Sequence, residues 1–178
     1  MKPSISSAYY SMLDAYEMVK ANIETGFYQT EINEQHYLDF MYKTKDVKEF
    51  KRFIDDEGFS IPQGHLIAMS KGNITSRDNA YAISNLKRNI DVFCELGVKS
   101  AVLHYANYGT DWDPVEQWFD VRVDALNQLT DYIKGTDMSI CIENQSRVWD
   151  FDAGHLLKMC KAVDNQKNIG ICLDTGHL

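Results

Sequence analysis

Five times along this chain an apolar run closes on an ionisable residue. Glu31 ends the run in "FYQTEIN", His65 follows "FSIPQG", His104 follows "KSAVL", Glu143 ends "MSICIE" and Asp174 ends "IGICLD". The intervals are 34, 39, 39 and 31 residues, each about one strand plus one helix. Helical patterns fill the gaps. Tyr16, Val19 and Ile23 share a face in a stretch that starts near Ser11 and closes at Gly26. Val47, Phe50 and Ile54 recur at helical spacing before Gly58. Ile83, Leu86, Ile90 and Phe93 form one stripe that stops at Gly97. A further helix is predicted from Asp113-Pro114, an N-cap with proline at the first helical position, to about Gly135. Another carries Leu156, Leu157, Cys160 and Val163. Strands alternating with helices, with no hairpin signal between them, predict right-handed crossovers and a parallel sheet. "PSISSAY" is the candidate first strand.

Side chains alternate faces along a strand, which sorts the residues of each run. Glu143 shares a face with Cys141 and Ser139, Asp174 with Cys172 and Gly170, and His104 with Val102 and Ser100. The opposite face carries Ile140 and Ile142, Ile171 and Leu173, and Ala101 and Leu103, apolar enough to meet outer helices. One face is small and ends in an ionisable group; the other is greasy. A closed α/β barrel fits this best, with the ionisable groups converging at the C-terminal mouth of its strands. An open doubly wound sheet favours a Gly-rich phosphate turn, and neither G-x-G-x-x-G nor G-x-x-x-x-G-K is present.

The remaining composition narrows the function classes. A chain of 178 residues with 44% hydrophobic and 25% charged residues is globular and of single-domain size, so residues 1–178 are taken as one domain. No run reaches the length of a membrane span, and "MKPSISSAYY" lacks the basic and apolar segments of a secretion signal. The net charge of −8 repels phosphate backbones and weighs against a nucleic-acid partner. Cys94, Cys141, Cys160 and Cys172 form no C-x-x-C pair and read as small buried hydrophobes in a reduced cytoplasm. A homo-oligomer is left open.

Several side chains are candidates for chemistry. A carboxylate at the end of a buried strand is costly unless solvated, paired or bound to a cation, so Glu143 reads as a metal ligand and general acid/base. Asp174 and His177 are separated by Thr-Gly, and Gly176 permits a turn that returns His177 over the same mouth. The triplet "DTG" also occurs in aspartic proteases, but those are all-β, whereas here it ends an α/β series. His104 and His65 gain interest as imidazoles on strands leading towards Glu143, since imidazole and carboxylate together suit Zn, Mn or Co. Glu31 can face the mouth but has no obvious partner in the sequence. Trp112, Tyr105 and Tyr108 are candidate pocket-lining residues, and Trp118 reads as helix core.

These stretches are also familiar. "GFYQTEIN", "AVLHYANYG", "ICIENQ" and above all "IGICLDTGHL" resemble the xylose-isomerase-like TIM barrel superfamily, which includes sugar phosphate isomerases and epimerases and the apurinic-site endonucleases. The resemblance covers nearly the whole chain. It implies an incomplete (β/α)8 barrel of about six parallel strands with outer helices, because complete barrels need about 250 residues. On this reading the chain ends at the sixth strand, either as a fragment or with the last strands supplied from elsewhere. In the isomerase and epimerase branch the resemblance implies a divalent cation (Mn, Zn, Co or Mg), with Glu143 and Asp174 matching two of four ligands. Glu143 would also transfer a proton through a metal-stabilised enediolate, and His177, His104 and His65 would contact a small sugar or polyol. In the endonuclease branch His65, His104, Glu143, Asp174 and His177 match five ligand positions of a trinuclear zinc site, implying a zinc-dependent phosphodiesterase. A degenerate, non-catalytic barrel is the third expectation.

Overall fold

The apolar runs become short parallel strands, and most of the stripes between them become helices. The computed structural model describes residues 3–105, 118–145 and 153–177. Its elements are β1 (Ile5–Ser6), α1 (Ala15–Glu24), β2 (Gln29–Ile32), α2 (Glu34–Met41), α3 (Val47–Asp56), β3 (Ser60–His65), α4 (Met69–Gly72), α5 (Ala80–Leu96), β4 (Ser100–Leu103), α6 (Phe119–Tyr132), β5 (Ser139–Glu143), α7 (Ala153–Ala162) and β6 (Ile169–Cys172). The strands lie in one sheet in chain order, β1-β2-β3-β4-β5-β6. The α/β class and the six parallel strands agree with the expectation from spacing. The expected helix start at Asp113-Pro114 lies outside the described residues. α2 has no counterpart in the sequence reading: it is only eight residues long, and Asn33, its N-cap, makes no side-chain capping bond. Among the described residues, no helix is long and apolar enough to cross a membrane.

The chain divides into two compact units. The first comprises Met1–His65 and Arg88–Ala101. Its α1 begins four residues later than Ser11 because Asp14 caps it. The Asp14 Oδ1 accepts the N–H groups of Tyr16 and Glu17, each at 2.9 Å, and Glu17 Oε2 accepts the N–H of Asp14 at 3.1 Å. Three backbone donors are thereby satisfied, those of Asp14 and Glu17 reciprocally. α1, α2 and α3 meet through aromatic side chains: Phe40 stacks on Phe50 at 4.8 Å, and Tyr16 meets Phe50 edge-on at 5.1 Å. Tyr37 stands edge-on to Phe93 of α5 at 5.3 Å. Gly64 lies under this cluster, where a Cβ would sit 2.5 Å from Phe93 Cζ and 3.0 Å from Ile32 Cγ2. The β2–β3 ladder shifts register between Gln29, opposite Ser60, and Glu31, opposite Gln63. The irregularity contains Pro62, which has no N–H to give to a ladder but whose carbonyl accepts from Lys99 N–H at 2.9 Å.

The second unit comprises Leu66–Lys87 and Val102–Leu178. Here β5 pairs with β6 in parallel, placing Ile142 opposite Ile171 and Glu143 opposite Cys172. Ala125, Leu126 and Leu129 of α6, Met159 of α7, and Ile140 and Ile142 of β5 are fully buried. The greasy face of β6 departs from expectation: Ile171 is 38% and Leu173 63% exposed. The cysteines also depart from the buried reading. Cys94 points to solvent from α5, and Cys141, Cys160 and Cys172 are only half-buried, two of them on the small, mixed face of their strands. Leu157, expected in the apolar stripe of α7, is likewise exposed.

Candidate active site

At the end of β5 three consecutive polar residues are almost completely inside the protein. Glu143 is 3% exposed, and Asn144 and Gln145 are buried with it. Such a group is stable only when its polar atoms are engaged. Glu143 Oε2 lies 2.7 Å from Nε2 of His104, which stands just beyond β4. The contact is close enough for an ion pair when the imidazole is protonated, and it sets a second ionisable group directly against the buried carboxylate.

Asn144 ties β5 to the turn after β6. Its Oδ1 accepts the N–H of Asp174 at 2.6 Å, and its Nδ2 donates to the carbonyl of Asp174 at 2.7 Å. Its own main-chain carbonyl accepts from Nδ1 of His177 at 2.6 Å. One buried asparagine therefore fixes both the backbone of Asp174 and the ring of His177. Beyond Asp174 the chain enters a single 3-10 turn, Thr175–His177. Asp174 Oδ1 accepts the N–H of Gly176 at 2.7 Å, while Oδ2 lies 3.6 Å from His177 Nε2. A Cβ at Gly176 would stand 3.1 Å from that Oδ1, so a larger residue would crowd the carboxylate.

The result is a convergent donor set. Glu143, Asp174 and His177 each present one ligand atom, and these atoms all lie within 4.8 Å of one another. Two carboxylates and an imidazole are a chemically reasonable set for a borderline or hard divalent cation. The Nδ1–H of His177 on a backbone carbonyl is the arrangement by which metal-bound imidazoles are commonly oriented. The residues present fit a divalent cation.

In the first unit, Glu31 has the partner its sequence context did not reveal. Its Oε1 lies 2.7 Å from Nδ1 of His65 and accepts from Gln63 Nε2 at 3.1 Å, both on β3. His65 and Glu31 thus form a pair of their own at the ends of β2 and β3. Tyr105 is buried rather than open to a pocket, and Trp118 is half-buried as the N-cap residue of α6. Tyr108 and Trp112 lie outside the described residues. Asn144 is the residue whose role sequence reasoning missed. Its signal was an amide directly after a buried strand-end carboxylate, a position where an unpaired side chain would be costly.

Comparison with known proteins agrees with this architecture. The family model described as the xylose isomerase-like TIM barrel matches residues 19–178, and the chain belongs to that family. Among solved structures it is similar to a D-psicose 3-epimerase determined with D-fructose, at 18% identity and a TM-score of 0.81. It is also similar to a D-tagatose 3-epimerase-like protein, at 23% identity and 0.79, and to an L-ribulose 3-epimerase, at 20% and 0.79. Each alignment covers 99% of this chain but only 64%, 66% and 62% of the respective neighbour, so the chain spans less than two thirds of each of these structures.

Proposed function

We propose that this chain carries the proton-transfer centre of a divalent-cation-dependent sugar isomerase or epimerase. The observation that carries the reading is the convergence of Glu143, Asp174 and His177, with His177 oriented by Asn144 so that Nε2 faces the carboxylates. The substrate class is a small ketose or a related polyol, phosphorylated or not, as the names of the structural neighbours suggest.

Glu143 and Asp174 would hold the cation, and a cation bound there supplies Lewis-acid polarisation of a carbonyl. Glu143 removes the proton from the carbon beside that carbonyl and serves as one member of the acid/base pair. His104, 2.7 Å from Glu143, stands against the carboxylate and offsets its charge when protonated. His177 presents Nε2 to a substrate oxygen. Return of the proton to the opposite face of the same carbon gives an epimer; return to the next carbon gives an isomer.

A decisive experiment follows solvent deuterium into a panel of ketohexoses and ketopentoses by NMR, with manganese or cobalt present. Deuterium appearing next to the carbonyl with the wild-type chain, and absent with Glu143→Gln, supports the reading. A second reading, hydrolysis of a phosphodiester at an abasic site, draws on the histidine placed directly against Glu143. Cleavage of an abasic duplex without any deuterium incorporation would favour it and overturn the first.

A further inference from the structure

α6 carries a cation on an inner face that is otherwise mostly apolar. Arg122 is 3% exposed, on the same helix as fully buried Ala125, Leu126 and Leu129. Burying a guanidinium is expensive, and burial pulls its pKa below the ordinary arginine value. A methionine or leucine would fill the same space without that cost, so the contacts of the guanidinium indicate what it is for.

Those contacts run in one direction. Arg122 Nε donates to Oγ1 of Thr75 at 3.2 Å. That hydroxyl has one proton to give, and it donates it to the main-chain carbonyl of Tyr105 at 3.1 Å. The guanidinium also lies over the Tyr105 ring, 5.4 Å from its centroid, within the range of a cation–π contact. Thr75 is itself held in place, since its N–H donates to Asn73 Oδ1 at 2.8 Å. Thr75, Tyr105 and Arg122 are all buried, so no water competes for these bonds. Tyr105 directly follows His104, the residue whose Nε2 lies 2.7 Å from Glu143.

We propose that Arg122 and Thr75 are positioning residues that clamp the carbonyl and ring of Tyr105 and thereby fix His104 against Glu143. The proposal rests on the reading of Glu143 as the proton-transfer carboxylate for its catalytic consequence, but not for the clamp itself. Two anchors on one residue, at its carbonyl and at its ring, restrict the backbone freedom that would let the adjacent imidazole swing away from the carboxylate. Misplacement of a catalytic group by about 1 Å costs on the order of 100-fold in rate, so a clamp of this kind controls turnover without touching substrate.

The test uses Thr75→Val, which keeps the shape and removes the hydroxyl, and Thr75→Ser, which restores it. In nitrogen-15 spectra of the full chain, the low-field imidazole N–H signal assigned by its loss in His104→Gln is expected in wild type and Thr75→Ser and lost in Thr75→Val. Turnover, read as deuterium incorporation, is expected to show kcat lowered roughly 10- to 100-fold in Thr75→Val, KM within about twofold, and recovery in Thr75→Ser. Arg122→Lys, which keeps the charge but loses the Nε–H donor, is expected to reproduce the Thr75→Val result and serves if the valine variant does not fold. A Thr75→Val protein that melts earlier but keeps both the N–H signal and kcat would overturn the proposal. If the wild-type chain exchanges no deuterium, the functional reading fails, and the imidazole signal alone decides the clamp.

Discussion

The Nδ1 atom of His177 lies 2.6 Å from the main-chain carbonyl oxygen of Asn144. A carbonyl only accepts, so this nitrogen carries a proton, and in the neutral ring Nε2, 3.6 Å from Asp174 Oδ2, is the lone-pair donor. An imidazole whose tautomer is set in this way is prepared for a cation or a substrate hydroxyl. Titration calorimetry with manganese is therefore expected to show one binding event that Asp174→Ala and Glu143→Ala each abolish. Unchanged binding in both variants would move the cation elsewhere.

Asn144 is expected to matter as much as a direct ligand. Replacing it by alanine removes both bonds to the Asp174 backbone, and partners of this kind are typically worth about 10- to 100-fold in metal affinity. Asn144→Asp is expected to be nearly as damaging, because a carboxylate still accepts the Asp174 N–H but repels the Asp174 carbonyl. Calorimetry on both variants, with thermal melting as the control for folding, checks this. Wild-type affinity in Asn144→Asp would show that only one of the two bonds is needed.

Glu143→Gln keeps the size of the side chain and still meets His104, but it neither takes up a proton nor carries a charge. Loss of a general acid/base costs roughly 100- to 10,000-fold, so deuterium incorporation into the substrate is expected to fall by that order. His104→Gln is expected to fall less, since it leaves the carboxylate in place. A larger loss in His104→Gln would make the histidine the proton-transfer group.

The sheet was legible because the repeating unit is written in two periods at once. Runs such as "SICIE" state a strand, and the stripe from Ile83 to Phe93 states the helix that follows. The family resemblance was legible in "IGICLDTGHL" for the same reason, since the turn and its candidate ligands are contiguous. What the sequence hid depends on contacts between distant segments. The Glu31–His65 pair spans 34 residues, and Arg122 reaches Thr75 across 47. α2 was hidden for a local reason, having a short span and no side-chain cap. The burial of Ile171 and Leu173 was expected from strand alternation, but alternation reports which residues share a face and not whether anything packs on it.

His36 gives the first unit a pH dependence. The imidazole is buried, with Nδ1 3.1 Å from Ser7 Oγ and Nε2 3.2 Å from the Tyr10 carbonyl, and burial lowers its pKa from the ordinary value. The unfolded chain therefore binds a proton near pH 6.5, before the folded one does. The stability contributed by neutral His36 is complete above that pH and is lost as pH falls through the folded-state pKa. Melting temperatures between pH 8 and pH 5 are expected to decline below about 6.5 in the wild type and less steeply in His36→Gln. Parallel slopes in the two proteins would assign the decline to other groups.

Ile142 and Ile171 face each other in the β5–β6 ladder, yet one is fully buried and the other 38% exposed. The two positions therefore separate burial from residue type. Ile142→Ala removes a side chain packed on every side and is expected to cost about 2–5 kcal/mol. Ile171→Ala removes methyl groups that already meet water and is expected to cost under about 1 kcal/mol. Urea unfolding of the two variants under one set of conditions measures the difference as a shift in midpoint. Equal costs would mean that the outer side of β6 is covered in solution, by a second copy or by further chain. In that case Leu173→Ser, at a position 63% exposed on the same side, would destabilise the protein by a similar amount instead of leaving it unchanged.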